Sequence, residues 1–172
     1  YIPSKDCKVV VSNCGSSSEF PTAAIFEDCS MTYLSVKEEN CGQQHNYIFY
    51  GEQGKDYYIK WNSYYSTGDY TWTIKEIDLL PGESCNNPII ASNGVNSFDI
   101  TNFFNNTQWY RYTATKNGKI IISNCESTAS STDVRVYEAC NNYQLSVKYF
   151  NCGDQKRIIF DCQQGKTYYI AW

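Results

Sequence analysis

Short runs of β-branched and aromatic residues recur about every 10–12 residues along this chain, with turn-forming residues between them. The first five runs are Lys8–Asn13, Thr22–Asp28, Leu34–Glu39, Asn46–Tyr50 and Asp56–Trp61. This spacing is typical of an antiparallel sandwich or barrel. No segment carries a sustained apolar period of about 3.6 residues, so the pattern predicts an all-β protein without long helices.

The same pattern occurs twice. Tyr1–Trp61 aligns with Tyr112–Trp172 at an offset of 111 residues without a gap, and 26 of the 61 pairs are identical. The second set of runs is Lys119–Asn124, Asp133–Ala139, Leu145–Phe150, Arg157–Asp161 and Thr167–Trp172. A fixed internal period indicates repeated structural units. Because one period has the size of a domain, we predict two tandem β-sandwich domains, residues 1–80 and 81–172.

The middle of the chain occurs only once. Tyr70–Ile77 is predicted to close the first domain, and Asp78–Asn87, with its Pro-Gly pair, is predicted to be a linker. Three further strands, Ile89–Ser92, Ser97–Thr101 and Gln108–Thr115, are predicted to open the second domain. Each domain is therefore expected to lack strands that the other has. Either the chain is a piece of a longer array, or partner chains supply the missing strands, because an open sheet edge is a template for pairing with another chain.

Composition narrows the class of protein. The net charge is −4 and the basic residues are scattered, which argues against nucleic-acid binding. No apolar run reaches the roughly 18 residues that a membrane-spanning helix needs. Nine cysteines in 172 residues favour an oxidising, extracellular location.

The repeat also predicts how the cysteines pair. Three cysteines occupy equivalent positions in both copies, whereas Cys7 and Cys162 each align with a glycine in the other copy. If neighbouring strands form hairpins, the cysteines at their ends face each other. The predicted disulfides are Cys7–Cys29, Cys14–Cys41, Cys125–Cys152 and Cys140–Cys162. Cys85 is left over, and we expect its partner to lie outside this sequence or in another chain.

With these motifs in place, the chain resembles the bacterial pre-peptidase C-terminal domain family, most closely its cysteine-containing tandem copies in secreted and surface proteins of Bacteroidetes-type bacteria. The matching segments are Cys85–Ile89, Trp109–Cys125, Ser131–Cys140, Asn151–Gly153 and Gly165–Trp172. The resemblance implies jelly-roll-like β-sandwiches attached to exported proteins. It also implies a role in secretion, adhesion or substrate binding.

Some relatives in that family bind calcium or collagen, but this sequence departs from the family pattern at two places. The family's Asp is present as Asp133 and is replaced by Thr22 in the first copy. A frequent Asp-Asp pair stands here as Phe150-Asn151, and as Glu39-Asn40 in the first copy. We therefore expect no cofactor, with calcium as the weaker alternative.

The sequence contains no catalytic signature. Catalysis would need a nucleophile with a base, paired carboxylates or converging metal ligands. His45 is the single histidine and aligns with Lys156, so we interpret it as a polar residue at a hairpin tip. Without a CxxC motif, zinc is not expected. Glu27 and Glu138 are equivalent and are interpreted as solvent-facing strand residues rather than calcium ligands.

Aromatic residues and one sequon offer further candidate sites. Trp61 and Trp172 end equivalent strands, and core packing is the best interpretation of both. Any exposed tyrosines among Tyr64, Tyr65 and Tyr70 would offer a stacking surface for sugars. Asn105 begins an Asn-Asn-Thr sequon and is a possible glycosylation site.

Together these features predict a non-enzymatic, extracellular structural or adhesive repeat module. We expect it to assemble by strand complementation, with itself or with neighbouring repeats, into an array or filament. The alternative is a carbohydrate- or protein-binding accessory domain of a secreted bacterial hydrolase, with a polysaccharide or extracellular matrix as its partner. An enzyme is the least favoured class.

Overall fold

The computed structural model describes residues 1–17, 21–30, 32–63, 71–97, 106–129, 131–140 and 143–172. Within these ranges the chain forms thirteen β-strands and no helix, which confirms the all-β prediction. The chain divides into two compact units, Tyr1–Leu79 and Leu80–Trp172, called here the first and the second unit.

In the first unit, the part of the chain that the structure describes forms six strands in two sheets. They are β1 (Cys7–Ser12), β2 (Pro21–Phe26), β3 (Lys37–Asn40), β4 (His45–Gly51), β5 (Tyr58–Ser63) and β6 (Thr73–Asp78). One sheet has the order β3-β4-β1-β6, and the other is the pair β2-β5. All of these pairs are antiparallel.

The described residues of the second unit form seven strands, also in two sheets. They are β7 (Ile89–Ile90), β8 (Trp109–Thr113), β9 (Gly118–Ser123), β10 (Arg135–Tyr137), β11 (Lys148–Cys152), β12 (Gln155–Cys162) and β13 (Thr167–Ala171). The sheet orders are β10-β13-β8-β7 and β11-β12-β9. The short pair β7-β8 is parallel, and the other pairs are antiparallel.

The single-copy region forms most of its predicted strands. Tyr70–Ile77 yields β6, and Gln108–Thr115 yields β8. Ile89–Ser92 yields only the two residues of β7. The predicted strand Ser97–Thr101 lies, apart from its first residue, outside the described residues.

Each unit buries an apolar layer between its two sheets. In β1, alternate side chains point inward, and Val9 and Val11 are fully buried. They belong to one cluster with Phe49 on β4, and with Ile25 and Tyr57 from the β2-β5 side. Phe49 and Tyr57 rings lie 4.9 Å apart between centroids. Burial of these apolar faces is the main stabilising contribution in such a sandwich.

The second unit repeats this core with equivalent residues. Ile158 and Phe160 on β12 cluster with Val136 on β10 and with Tyr168 and Ile170 on β13. The Phe160 and Tyr168 rings lie 5.1 Å apart, matching the pair in the first unit. The repeated aromatic positions are therefore explained by core packing.

A repeated asparagine joins the end of one strand to the start of another. The Asn13 side-chain oxygen accepts a hydrogen bond from the His45 backbone N–H at 2.8 Å. Asn124 does the same for Lys156 at 2.9 Å, and its amide nitrogen donates to the Thr132 hydroxyl at 2.7 Å. The repeated Ser-Asn-Cys motif thus has a structural role, because it satisfies backbone donors.

The disulfides Cys14–Cys41 and Cys125–Cys152 form in equivalent positions, with Cα separations of 5.9 and 5.6 Å. The prediction of Cys7–Cys29 is wrong, because both thiols are free. β1 and β2 do not form a hairpin; they lie in different sheets. Cys7 instead faces Gly51 on β4 and Asp78 on β6.

The prediction of Cys140–Cys162 is also wrong. Cys140 bonds to Cys85, with a Cα separation of 5.6 Å, and Cys162 is a buried free thiol. Cys162 lies on β12 opposite Gly118, whereas Cys140 follows a strand of the other sheet. The expectation that the partner of Cys85 lies outside this sequence or in another chain is also wrong, because Cys85 bonds to Cys140.

The predicted linker Asp78–Asn87 is a folded segment rather than an unstructured linker. Asp78 ends β6, and Glu83 and Ser84 are buried in the second unit. Cys85 fixes the segment to the end of β10 through its disulfide. The Pro-Gly pair marks a turn, in which the Glu83 N–H donates to the Leu80 carbonyl at 3.1 Å.

Asn124→Ala is expected to lower the free energy of unfolding of the second unit by about 1–3 kcal/mol, because it leaves the partly buried Lys156 N–H without its acceptor. Asn151→Ala is the matched control. Asn151 is exposed, and its side-chain oxygen accepts a hydrogen bond from the Lys156 ammonium at 2.9 Å, so its loss should cost less than about 0.5 kcal/mol. Urea denaturation measures both changes, and equal effects would contradict the assigned role of Asn124.

Iodoacetamide is expected to modify Cys29 in the folded protein and to leave Cys7 and Cys162 unmodified. Cys29 is exposed, whereas Cys7 and Cys162 are buried. Burial, followed by the nearby Glu76 carboxylate, raises the pKa of the Cys7 thiol to about 11, so the reactive thiolate is scarce at neutral pH. Mass spectrometry of peptides locates the label. Rapid labelling of Cys7 under native conditions would contradict this assignment.

Candidate functional site

The most distinctive surface feature is an open edge on β9. In the first unit the equivalent strand, β1, is flanked by β4 on one side and by β6 on the other. In the second unit β9 is flanked by β12, and no strand of the described residues pairs with its other edge. An unpaired edge presents a row of backbone N–H and C=O groups that can template pairing with another chain.

The missing neighbour exposes the apolar side chains of β9. Val9 and Val11 of β1 are fully buried, but their counterparts Ile120 and Ile122 are only partly buried. Ile121 is 62% exposed, whereas its counterpart Val10 is partly covered. Every residue of β9 is more exposed than its equivalent in β1. The edge therefore carries apolar surface as well as unpaired backbone groups.

A second open edge lies on β5 in the first unit. The equivalent strand in the second unit, β13, pairs with β10 on one side and with β8 on the other. β5 pairs with β2 alone among the described strands. Tyr1 makes two backbone hydrogen bonds with Tyr57 just before β5, at 2.9 and 2.8 Å, which begin the pairing that β8 continues in the second unit.

Exposure along β5 reflects this difference. Ile59 is partly buried where its counterpart Ile170 is buried, and Tyr58 is 45% exposed where Tyr169 is partly covered. Among the described strands, β1 and β13 therefore have a neighbour on both sides, whereas their counterparts β9 and β5 have a neighbour on one side.

The contacts of β6 show how the corresponding edge of β1 is covered. Glu76 accepts hydrogen bonds from the Tyr1 hydroxyl at 2.6 Å, the Ser4 N–H at 2.9 Å and the Ser4 hydroxyl at 2.5 Å. The Ser4 hydroxyl, followed by the Tyr1 hydroxyl, lowers the pKa of the Glu76 carboxyl to about 2. Lys5 pairs with Asp78 at the end of the strand. The partners of the two carboxylates, Tyr1, Ser4 and Lys5, all lie in the segment that leads into β1.

Three titratable candidates from the sequence, Glu27, Glu138 and His45, lie in separate ion pairs. Glu27 forms an ion pair with Lys55 at 3.0 Å, and Glu138 forms the equivalent pair with Lys166 at 2.6 Å. His45 lies at the β3-β4 hairpin, 2.7 Å from a carboxylate oxygen of Glu38. The parts of the chain that the structure describes contain no group of three or more potential metal ligands.

Other candidates lie outside the described residues, namely Asn105, Tyr64, Tyr65 and Tyr70. Trp61 and Trp172 pack against the two cores, as predicted. Within the described ranges, no helix has the length and apolar character needed to cross a membrane.

The exchange of cysteine and glycine across one strand pair was not predicted from the sequence. Cys7 faces Gly51 in the first unit, and Gly118 faces Cys162 in the second. A Cβ atom on Gly51 would lie 2.7 Å from the Val9 side chain and 2.9 Å from Pro3, so only glycine fits there. The alignment of the two copies showed that each of these cysteines aligns with a glycine. It did not show which residues face each other across the strand pair, because that depends on the strand register.

The backbone amides of β9 are expected to exchange hydrogen about tenfold or more faster than those of β1 in dilute solution, because one edge of β9 is open. β4 and β12 are the matched control, because each has neighbours on both sides and should exchange at similar rates. Hydrogen exchange followed by mass spectrometry provides the measurement. Equal protection of β1 and β9 would show that the edge is already covered.

Comparisons with known proteins do not assign the chain to a family. No protein-family model matches it, and no curated protein matches it either. The resemblance to the pre-peptidase C-terminal domain therefore stays a prediction from sequence motifs.

Proposed function

We propose that this protein is a non-enzymatic structural or adhesive module of an extracellular protein, and that it assembles by strand addition at its open sheet edges. The observation that carries the proposal is the pair of open edges, β9 in the second unit and β5 in the first. Each has, in the other unit, an equivalent strand whose edge is covered. Strand addition supplies main-chain hydrogen bonds and buries alternate side chains.

The two open edges belong to different strands. This difference favours an assembly in which one surface of a chain contacts a different surface of the next chain. A surface that pairs with a different surface of the next copy makes a head-to-tail contact, and such contacts extend into open arrays unless the rotation closes a ring. The open edges lie on different strands in different units, β5 and β9. Arrays or filaments are therefore the expected products.

Two further observations support an extracellular, non-enzymatic role. Three disulfides fit an oxidising setting. The residues repeated between the units serve structural contacts: Asn13 and Asn124 bind backbone N–H groups, and Lys55 and Lys166 pair with glutamates. The repetition is explained by folding requirements, with no catalytic group needed to account for it.

A carbohydrate- or protein-binding accessory domain is the second candidate, and one observation favours it. Tyr33 is 75% exposed, and Tyr143, in the equivalent loop of the second unit, is 81% exposed. Exposed aromatic faces offer stacking surfaces for ligands. This candidate predicts a monomer that is retained on polysaccharide or collagen, and Tyr143→Ala should weaken that retention.

Sedimentation velocity over a wide range of protein concentrations tests the proposed assembly. We expect concentration-dependent association, with elongated arrays visible by negative-stain electron microscopy. Ile121→Lys should raise the concentration required by about tenfold or more, because it places a charge on the exposed edge strand. A chain that stays monomeric at the highest concentration would contradict the proposal.

Phe150→Lys is the matched control. Phe150 lies on β11, at the opposite edge of the same sheet, and is 47% exposed. The substitution adds the same charge and removes a comparable exposed apolar side chain. Equal weakening by both variants would indicate association through general apolar surface rather than through the β9 edge.

A further inference from the structure

We infer that the outer face of the β10-β13-β8-β7 sheet, in the second unit, binds an acidic polysaccharide. This face carries three aromatic rings and two guanidinium groups, called here the aromatic platform: Trp109, Arg111, Arg135, Tyr137 and Tyr169. The site goes beyond the proposed assembly and does not depend on the open edges. The two strands at its centre, β13 and β8, each have a neighbouring strand on both sides.

The strand register places these side chains on the solvent side of the sheet. Directly paired residues have their side chains on the same face of a sheet. Val136, Ile170 and Tyr110 form one such row across β10, β13 and β8, and all three are buried in the core of the second unit. Because successive side chains of a strand point to opposite faces, the rows on either side of this one face outward.

Two rows make up the platform. One comprises Arg135, Ala171 and Trp109, and the other comprises Tyr137, Tyr169 and Arg111. The three aromatic side chains are partly exposed, and both arginines are exposed. Aromatic and cationic groups therefore alternate over three adjacent strands of one continuous sheet.

The small side chain of Ala171 allows two of the rings to meet. Trp109 and Tyr137 lie on β8 and β10, which β13 separates, and their ring centroids are nevertheless 5.3 Å apart. Ala171 lies opposite Trp109 on β13 and is only 7% exposed although it faces outward, as expected if the rings lie over it. Its counterpart in the first unit is Lys60, so the ring pair is specific to the second unit.

The guanidinium groups beside the rings supply hydrogen-bond donors. Arg135 donates from Nε to the Asp133 carboxylate at 3.2 Å, which orients its guanidinium at one side of the platform. On the other side, no ion pair or hydrogen bond with a described residue holds the Arg111 side chain. Arg111 is therefore a cation on the platform that is available to an anionic group of a ligand.

This combination suits a sugar chain that carries acidic groups. The C–H face of a pyranose ring can lie against an aromatic ring, and a guanidinium binds a carboxylate or a sulfate through two parallel hydrogen bonds. Adjacent strands lie about 4.8 Å apart, so the platform spans roughly 10 Å from β10 to β8. That length accommodates a short stretch of a polysaccharide.

Single-stranded nucleic acid also stacks on aromatic rings beside basic residues. The polysaccharide is favoured because the chain has a net charge of −4 and a pI near 5.0, which does not suit a polyphosphate ligand. The three disulfides also fit an extracellular setting, where acidic polysaccharides are the more accessible polyanions.

Isothermal titration calorimetry on the full chain tests the ligand class. The probes are oligogalacturonate for the carboxylate, dextran sulfate for the sulfate, and neutral dextran. At least one acidic probe should bind saturably and about tenfold or more tightly than neutral dextran, because charged hydrogen bonds are the stronger ones. Binding of neither acidic probe, equal binding of neutral dextran, or tighter binding of a single-stranded oligonucleotide would overturn the inference.

Ala171→Lys tests the ring pair. It introduces the residue that the first unit has at this position, and it places a long side chain between Trp109 and Tyr137 while adding a positive charge. Affinity for the acidic probe should fall about fivefold or more, because the aromatic surface is disrupted. Attraction by charge alone would leave the affinity unchanged or raise it, and that result would contradict the assigned site. Circular dichroism checks that the variant folds.

Arg111→Glu tests the cationic part of the platform, and Arg157→Glu is its matched control. Both residues are exposed arginines of the second unit, but Arg157 lies on β12, in the other sheet. Arg111→Glu should weaken binding by about tenfold or more, because it replaces attraction with repulsion. Arg157→Glu should change the affinity by less than about twofold. Equal losses in the two variants would show that the probe responds to overall charge and not to this site.

The outcomes separate this site from the proposed assembly. If the chain associates but neither acidic probe binds, the inferred site is wrong and assembly stands. If an acidic probe binds and Ala171→Lys weakens it, but the chain stays monomeric at every concentration, the site stands and the assembly proposal fails.

Discussion

Burial of the core in each unit depends on whether β1, or its counterpart β9, has a neighbouring strand on both sides. Where β1 lies between β4 and β6, Val9 and Val11 lose all contact with solvent. Where β9 has β12 alone among the described strands, the equivalent isoleucines remain partly exposed. The same sequence pattern therefore gives a closed core or an open one according to whether one additional strand is present. At this edge of β9, apolar side chains are exposed and the backbone groups have no partner among the described strands. An added strand would bury those side chains and pair with those backbone groups.

The sequence was sufficient to predict what depends on local pattern and on repetition. The short β-branched and aromatic runs predicted the strands, and the aligned cysteines predicted Cys14–Cys41 and Cys125–Cys152, which form. These bonds each join positions 27 residues apart in the chain and occur identically in both units.

The remaining cysteines depended on sheet assignment, which the sequence pattern does not contain. Consecutive strands β1 and β2 look like a hairpin in sequence but belong to different sheets, so Cys7 cannot pair with Cys29. Cys85 lies in a segment that occurs once, so the repeat gave no counterpart from which its partner could be read. Its bond to Cys140 depends on how that segment folds against the second unit.

The most direct test uses the chain's own closing strand. Residues 62–80 can be attached after Trp172, which corresponds to Trp61 and so preserves the spacing of the first unit. We expect hydrogen exchange of the β9 amides in this fusion to slow to the rates of β1, and the same attachment with a scrambled β6 sequence to leave β9 unchanged. Equal, fast exchange of β9 in both fusions would contradict the proposal that the edge of β9 accepts an added strand.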